Sequence, residues 1–128
     1  MAHIPVRPTD PARQPARPSL LPDAALPYPA QGFKSFREFY PYYLGEHRDA
    51  TCRRLHVVGT VLVVATALTA WLVAGWVAWL IPVVGYGFAW VGHFRFEHNR
   101  PATFKHPFYS LMGDFVMAKD VLTGRIRW

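Results

Sequence analysis

The sequence predicts an all-α membrane protein: a transmembrane helical hairpin flanked by interfacial amphipathic helices and preceded by a disordered, proline-rich tail. Three observations predict this class. A run of 36 residues, 57 to 92, contains no Asp, Glu, Lys, Arg or His, and basic residues are concentrated on both sides of it. Of the 12 prolines, 8 fall within the first 31 residues. A chain of 128 residues is long enough for one domain.

The tail is predicted to occupy residues 1–31, because prolines there are too frequent for a helix or a central strand. The folded domain is predicted to span 32–126. Its first helix begins with a capping box, since Ser35 and Glu38 have the S-x-x-E spacing. Aromatic residues then follow at helical spacing: Phe36, Phe39, Tyr40 and Tyr43. This helix either lies at the membrane interface or packs against the hairpin.

The apolar run is too long for one membrane span. As a single helix it would measure about 54 Å, whereas a bilayer core is about 30 Å thick. We therefore predict two antiparallel helices, about 57–74 and 76–92, with a turn at Gly75. Basic residues on both flanks place both termini in the cytoplasm, at the inner membrane if the protein is bacterial. The alternative is a soluble bundle, but 128 residues leave little protein to cover two helices that are apolar all round.

A last helix of about 14 residues is predicted to end near Gly124. Its apolar residues recur at intervals of three and four: Phe108, Leu111, Met112, Phe115 and Val116. It is too short and too charged to span, so we expect it to lie along the interface.

The net charge of +6 does not indicate a nucleic-acid partner, because the basic residues flank the apolar run as they do in membrane proteins. Arg54 and Arg100 lie at this edge. They either bind a carboxylate or phosphate or only set the orientation in the membrane. Cys52 is the only cysteine, which excludes an intrachain disulfide and a cysteine-rich metal site. It is interpreted as an ordinary small residue at a helix start.

Histidines carry the functional signal. Five of the six fall in the polar flanks, on one face of the hairpin: His47, His56, His93, His98 and His106. Several imidazoles with a carboxylate form a typical transition-metal site.

The spacing of these residues decides which of them can share an ion. His56 and His93 are equidistant from the turn and are predicted to be neighbours. Glu97 would lie on the same helix face as His93, one turn later. His47 can join His56 only if the helix is broken between them, and His98 only if the helix ends before it. Asn99 and Asp114 are candidates for orienting the imidazoles.

Two stretches resemble the Mpo1-like family, FYPYYLGEHRDATCRRLHVVGT (39–60) and GHFRFEHNRPATFKHPFYSLMGDFVM (92–117), and the resemblance covers about residues 33–126. It implies an iron(II)-dependent dioxygenase that shortens 2-hydroxy fatty acids by one carbon, with the bilayer, a fatty acid and molecular oxygen as partners. Its motif carries over to His47, His56, His93, Glu97 and Pro101. Two alternatives remain: a non-enzymatic adaptor or lipid-binding protein, and another metal-dependent lipid enzyme.

Overall fold

A computed structural model of the protein describes residues 19–128, which contain helices and no strand. Four α-helices form its frame: α1 Phe36–Gly45, α2 Ala50–Leu72, α3 Leu80–Val91 and α4 Pro107–Leu122. Three shorter helical pieces connect them: 3₁₀ turns at Gly75–Trp79 and Ala102–Phe104, and a π-helical stretch at Gly92–Glu97. The predicted all-α class is confirmed.

Capping side chains fix where α1 and α2 begin. Ser35 caps α1 by accepting the Glu38 N–H at 3.3 Å, and Glu38 returns to accept the N–H of Lys34 at 3.0 Å. Asp49 caps α2 by accepting the Cys52 N–H at 2.9 Å. Because α2 begins at Ala50, seven residues before the predicted start at Val57, its first two turns carry polar residues into the domain.

The central hairpin is confirmed. α2 packs along the helical run Gly75–Glu97, and the chain reverses just before Gly75. Both helical runs are 23 residues long and apolar enough to cross a membrane. Their side chains point mostly outward, and Trp71 and Trp79 are each 82% exposed. Apolar exposure on this scale is typical of a surface that contacts lipid or another protein.

The core lies at the open end of the hairpin, away from the turn. There α1 packs on α4, and the buried cluster includes Phe39, Tyr43, Met117, Val121 and Ile126. Gly113 allows the close approach, since a Cβ at this position would lie 2.9 Å from the Tyr43 ring. The first aromatic helix therefore supplies the core at its Phe39 and Tyr43 positions.

α4 occupies the predicted place, and its predicted apolar stripe faces outward rather than into the core. Phe108 is 84% exposed, and Leu111 and Phe115 are about half exposed. The buried face instead carries small and medium-sized side chains, such as Ser110 and Gly113, which fit the tight packing on α1 and α2.

Residues before the predicted boundary at residue 31 already pack on the folded domain. Pro22, Ala25 and Leu26 pack over Gly45 at the end of α1. Tyr28 contacts His106, with its hydroxyl 2.8 Å from Nε2. This corrects the predicted disorder for residues 19–31, because their apolar and aromatic side chains find partners on α1. Residues 1–18 lie outside the described part of the chain.

Candidate metal centre

Three histidines meet at the base of the hairpin. His47 lies in the short loop after α1, His56 in the second turn of α2 and His93 in the π-helical stretch. All three are buried, and their ring centroids are 4.4 to 5.0 Å apart. The predicted meeting of His56 with His93 is confirmed. The chain leaves helical geometry between Gly45 and Ala50, and this break allows His47 to join them.

Hydrogen bonds fix the orientation of two of these rings. His47 Nδ1 lies 2.6 Å from the carbonyl oxygen of Tyr43, one turn earlier. His56 Nδ1 lies 2.7 Å from Oδ1 of Asp114 on α4. A carbonyl and a carboxylate oxygen only accept, so both Nδ1 atoms carry the proton. The lone pair of each ring is therefore on Nε2.

Asn99 orients the third ring. Its Nδ2 donates to the backbone carbonyl of Glu46 at 3.0 Å, which fixes the direction of the amide. Its Oδ1 then accepts from His93 Nδ1 at 2.7 Å. His93 therefore carries its lone pair on Nε2 as well. The predicted orienting roles of Asn99 and Asp114 are confirmed as hydrogen bonds to two imidazoles.

The arrangement leaves nitrogen lone pairs without a partner. Within residues 19–128, Nε2 of His47 and Nε2 of His56 are buried and accept no hydrogen bond. An unsatisfied buried polar atom costs about 1–3 kcal/mol. A metal ion would use these lone pairs, and imidazoles whose other nitrogen donates to a carbonyl or a carboxylate are typical metal ligands. The donor set therefore fits a transition metal.

Cys52 joins the three histidines. One ligand atom from each of His47, Cys52, His56 and His93 lies within 4.8 Å of the others. Cys52 is buried one turn before His56 on α2, and a Cβ on Gly92 would lie 2.9 Å from its Sγ. Its interpretation as an ordinary small residue did not foresee its place beside the histidines. The spacing of four residues between Cys52 and His56, which puts both on one face of a helix, could have indicated it.

Glu97 and His98 do not join the cluster. Glu97 is the last residue of the π-helical stretch Gly92–Glu97, four positions after His93. The Glu97 carboxylate instead accepts the backbone N–H of Asp49. His98 ends the helix with a left-handed φ of 55° and is exposed. The carboxylate that contacts the cluster is Asp114.

The two arginines proposed from the sequence lie outside the cluster and are exposed. Arg54 Nη2 lies 3.3 Å from the carbonyl oxygen of Trp128. Arg100 lines a cavity of about 740 Å³ together with Lys105 and Glu46. The buried arginine of this region is Arg53.

Arg53 holds the loop that carries His47. Its Nη1 donates to the carbonyl oxygens of His47 at 3.1 Å and Arg48 at 2.6 Å. Its Nε lies 3.3 Å from the carbonyl oxygen of Arg127. A guanidinium bonded to three carbonyls fixes the loop between α1 and α2 and connects it to the end of the chain.

Burial keeps the His47 imidazole and the Tyr43 hydroxyl uncharged. Desolvation, followed by the neighbouring His56 and His93, holds the pKa of His47 well below its usual value. Desolvation and the nearby Asp114 raise the pKa of the Tyr43 hydroxyl well above its usual value. Tyr43 therefore remains a neutral donor to Asp114, and His47 a neutral imidazole whose lone pair is free.

A buried three-histidine cluster at the base of a long apolar hairpin defines a small helical protein with a candidate metal centre. The model of the Mpo1-like family, described as 2-hydroxy-palmitic acid dioxygenase Mpo1-like, matches residues 33–126. The chain belongs to this family. No curated protein and no solved structure matches it.

Proposed function

We propose that the protein is an iron(II)-dependent dioxygenase that shortens 2-hydroxy fatty acids by one carbon at a membrane interface. The observation that carries the proposal is that Nε2 of His47 and Nε2 of His56 are buried without a hydrogen-bond partner, beside the buried ring of His93. His47, His56 and His93 would hold the iron, with the Cys52 thiol as a fourth donor within reach. The family description supports the substrate class and the reaction.

The proposed reaction consumes one O₂ for each 2-hydroxy acid. The C1–C2 bond breaks, C1 leaves as CO₂, C2 becomes the carboxyl carbon of the shortened acid, and one water forms. Iron(II), when bound, supplies open coordination positions for oxygen and substrate. The chain itself orients the imidazoles through Tyr43, Asp114 and Asn99, and their burial keeps bulk water away from the reacting groups.

We place the hairpin across the membrane. Its exposed apolar side chains favour lipid as their environment, and the basic residues at its open end favour the cytoplasm for both termini. The histidine centre would then lie at the cytoplasmic edge of the bilayer. Arg100, exposed beside the 740 Å³ cavity, is proposed to attract anionic substrate to this edge of the bilayer before the acid binds.

The test uses the full chain purified in detergent. Bound metal is measured, and consumption of O₂ and 2-hydroxypalmitate is followed after addition of iron(II). We expect His56→Ala and His93→Ala to abolish both metal binding and turnover. His98→Ala serves as the matched control, because His98 is exposed outside the cluster. Absence of stoichiometric metal, or unchanged turnover in both cluster variants, would refute the proposal.

A second function, binding of anionic head groups without turnover, is favoured by one observation. The 740 Å³ cavity combines Arg100, Lys105 and His106 with the aromatic walls of Tyr28 and Phe104. This adaptor function predicts binding to phosphate-bearing lipid vesicles that survives removal of metal and is lost in Arg100→Ala. The enzymatic function predicts that metal removal abolishes the reaction.

A further inference from the structure

A cleft separates α3 from α4. α4 packs on α1 and α2, and a cavity of about 310 Å³ lies along its other side, facing α3. Apolar side chains line most of it, including Val63 of α2, Ile81 and Ala89 of α3, and Phe108 and Leu111 of α4. Phe108 and Leu111 are strongly exposed, so the cleft opens on the same apolar surface as the hairpin.

The inner end of the cleft leads to the histidine centre. A smaller cavity of about 40 Å³ shares Val63, Gly85, Leu111 and Asp114 with the cleft and is also lined by His56. The two cavities therefore adjoin at these four residues, which we call the neck. At this neck the Asp114 carboxylate already accepts from His56 and Tyr43, which reduces its repulsion of another anion.

We propose that the α3–α4 cleft binds the acyl chain of a fatty acid whose carboxyl end passes the neck beside Gly85 and Leu111 towards His56. The identity of this ligand rests on the proposed function. Its size and lining fit, since small-molecule sites are concave, mostly apolar and about 300 Å³ or larger, with a few polar groups that fix orientation. A chain dissolved in the bilayer would enter sideways between the two helices.

Gly85 makes the neck passable. A Cβ at this position would meet only the Val63 side chain, at 3.3 Å, so a larger side chain would extend into the space that the two cavities share. Gly87 lies two residues later on α3 and offers a matched control. A Cβ there would meet nothing within 4 Å, and Gly87 lines neither cavity.

The experiment measures binding rather than turnover. The full-length protein in detergent is titrated with dansyl-undecanoic acid, which is then displaced by 2-hydroxy acids of 8, 12 and 16 carbons. We expect Gly85→Leu to weaken probe binding at least tenfold and Gly87→Leu to change it less than threefold. Leu111→Trp narrows the neck from the α4 side at a half-exposed position and should reproduce the loss if Gly85→Leu does not fold.

Three outcomes would overturn the cleft proposal: no probe binding by the unmodified protein, unchanged affinity in both neck variants, or displacement of the probe by phosphatidylcholine as effectively as by the 16-carbon acid. Metal content and turnover are measured on the same samples. Probe binding that depends on the neck, without metal or turnover, would leave the cleft supported and refute the proposed dioxygenase. Turnover together with a probe affinity that the neck variants leave unchanged would support the dioxygenase and refute the cleft proposal.

Discussion

Replacing Asp114 by asparagine tests whether the hydrogen bonds behind the imidazoles determine metal affinity. Asp114 Oδ1 accepts from Nδ1 of His56 at 2.7 Å and from the hydroxyl of Tyr43. Asparagine keeps the shape and one acceptor oxygen but removes the negative charge that strengthens both bonds. The His56 ring would keep its direction while its Nε2 becomes a weaker donor to a metal.

The expected loss of metal affinity depends on how many of these hydrogen bonds each variant can still form. Groups that orient metal-binding histidines typically contribute 10- to 100-fold in metal affinity. Because asparagine can still accept both hydrogen bonds, Asp114→Asn should weaken metal affinity about tenfold, or about 1.4 kcal/mol. Asp114→Ala removes the oxygen that accepts both bonds and should weaken metal affinity about 100-fold, or about 2.8 kcal/mol.

Asp120 provides the matched control on the same helix. Its carboxylate is buried, accepts the hydroxyl of Tyr40 from α1 at 2.8 Å and lies 3.5 Å from Arg125. Asp120→Asn should therefore lower thermal stability without changing metal affinity. Iron(II) affinity is measured without oxygen, by competition with a chromophoric chelator. Equal losses in Asp114→Asn and Asp120→Asn, or no loss in Asp114→Asn, would refute the reasoning.

Three further predictions concern stability and the ligand set. Metal-free protein should be most stable above about pH 6.5 and lose stability below it, because the folded state lowers the pKa of His47 and the unfolded chain binds the proton first. Measured by thermal unfolding, this loss below pH 6.5 should become smaller in His47→Leu. Gly113→Ala should cost about 1–3 kcal/mol in urea unfolding, since its Cβ would lie 2.9 Å from the Tyr43 ring, and an unchanged midpoint would contradict this packing. Metal analysis should find stoichiometric iron in His98→Ala and none in His93→Ala. The opposite result would exclude the histidine cluster as the iron site.

The sequence alone predicted the hairpin and the pairing at its base. A run of 36 residues without Asp, Glu, Lys, Arg or His is too long for one span, so a turn near Gly75 follows from length. Equal distances from that turn then bring His56 and His93 together. The Ser35–Glu38 capping box is equally local, because both of its hydrogen bonds form within one helical turn.

Glu97 stays outside the cluster for a reason that spacing cannot reveal. A spacing of four residues is compatible with a shared face, but the Glu97 carboxylate accepts the backbone N–H of Asp49, 48 positions earlier in the chain. Nothing in the string GHFRFE indicates this distant partner. Asp114 was named only as an orienting group, and its contact with His56 depends on how α4 docks on α2.

Each imidazole is oriented by a different part of the chain, which explains why no short motif contains the whole site. The Tyr43 carbonyl of α1 holds His47, Asp114 of α4 holds His56, and Asn99 of the loop after the hairpin holds His93. Tyr43 contributes to two of these contacts. Its carbonyl accepts from His47, and its hydroxyl donates to Asp114, which orients His56. The histidine cluster therefore forms only when α1, α2 and α4 are packed together, and the packing of Gly113 against Tyr43 contributes to the geometry of the cluster as well as to the core.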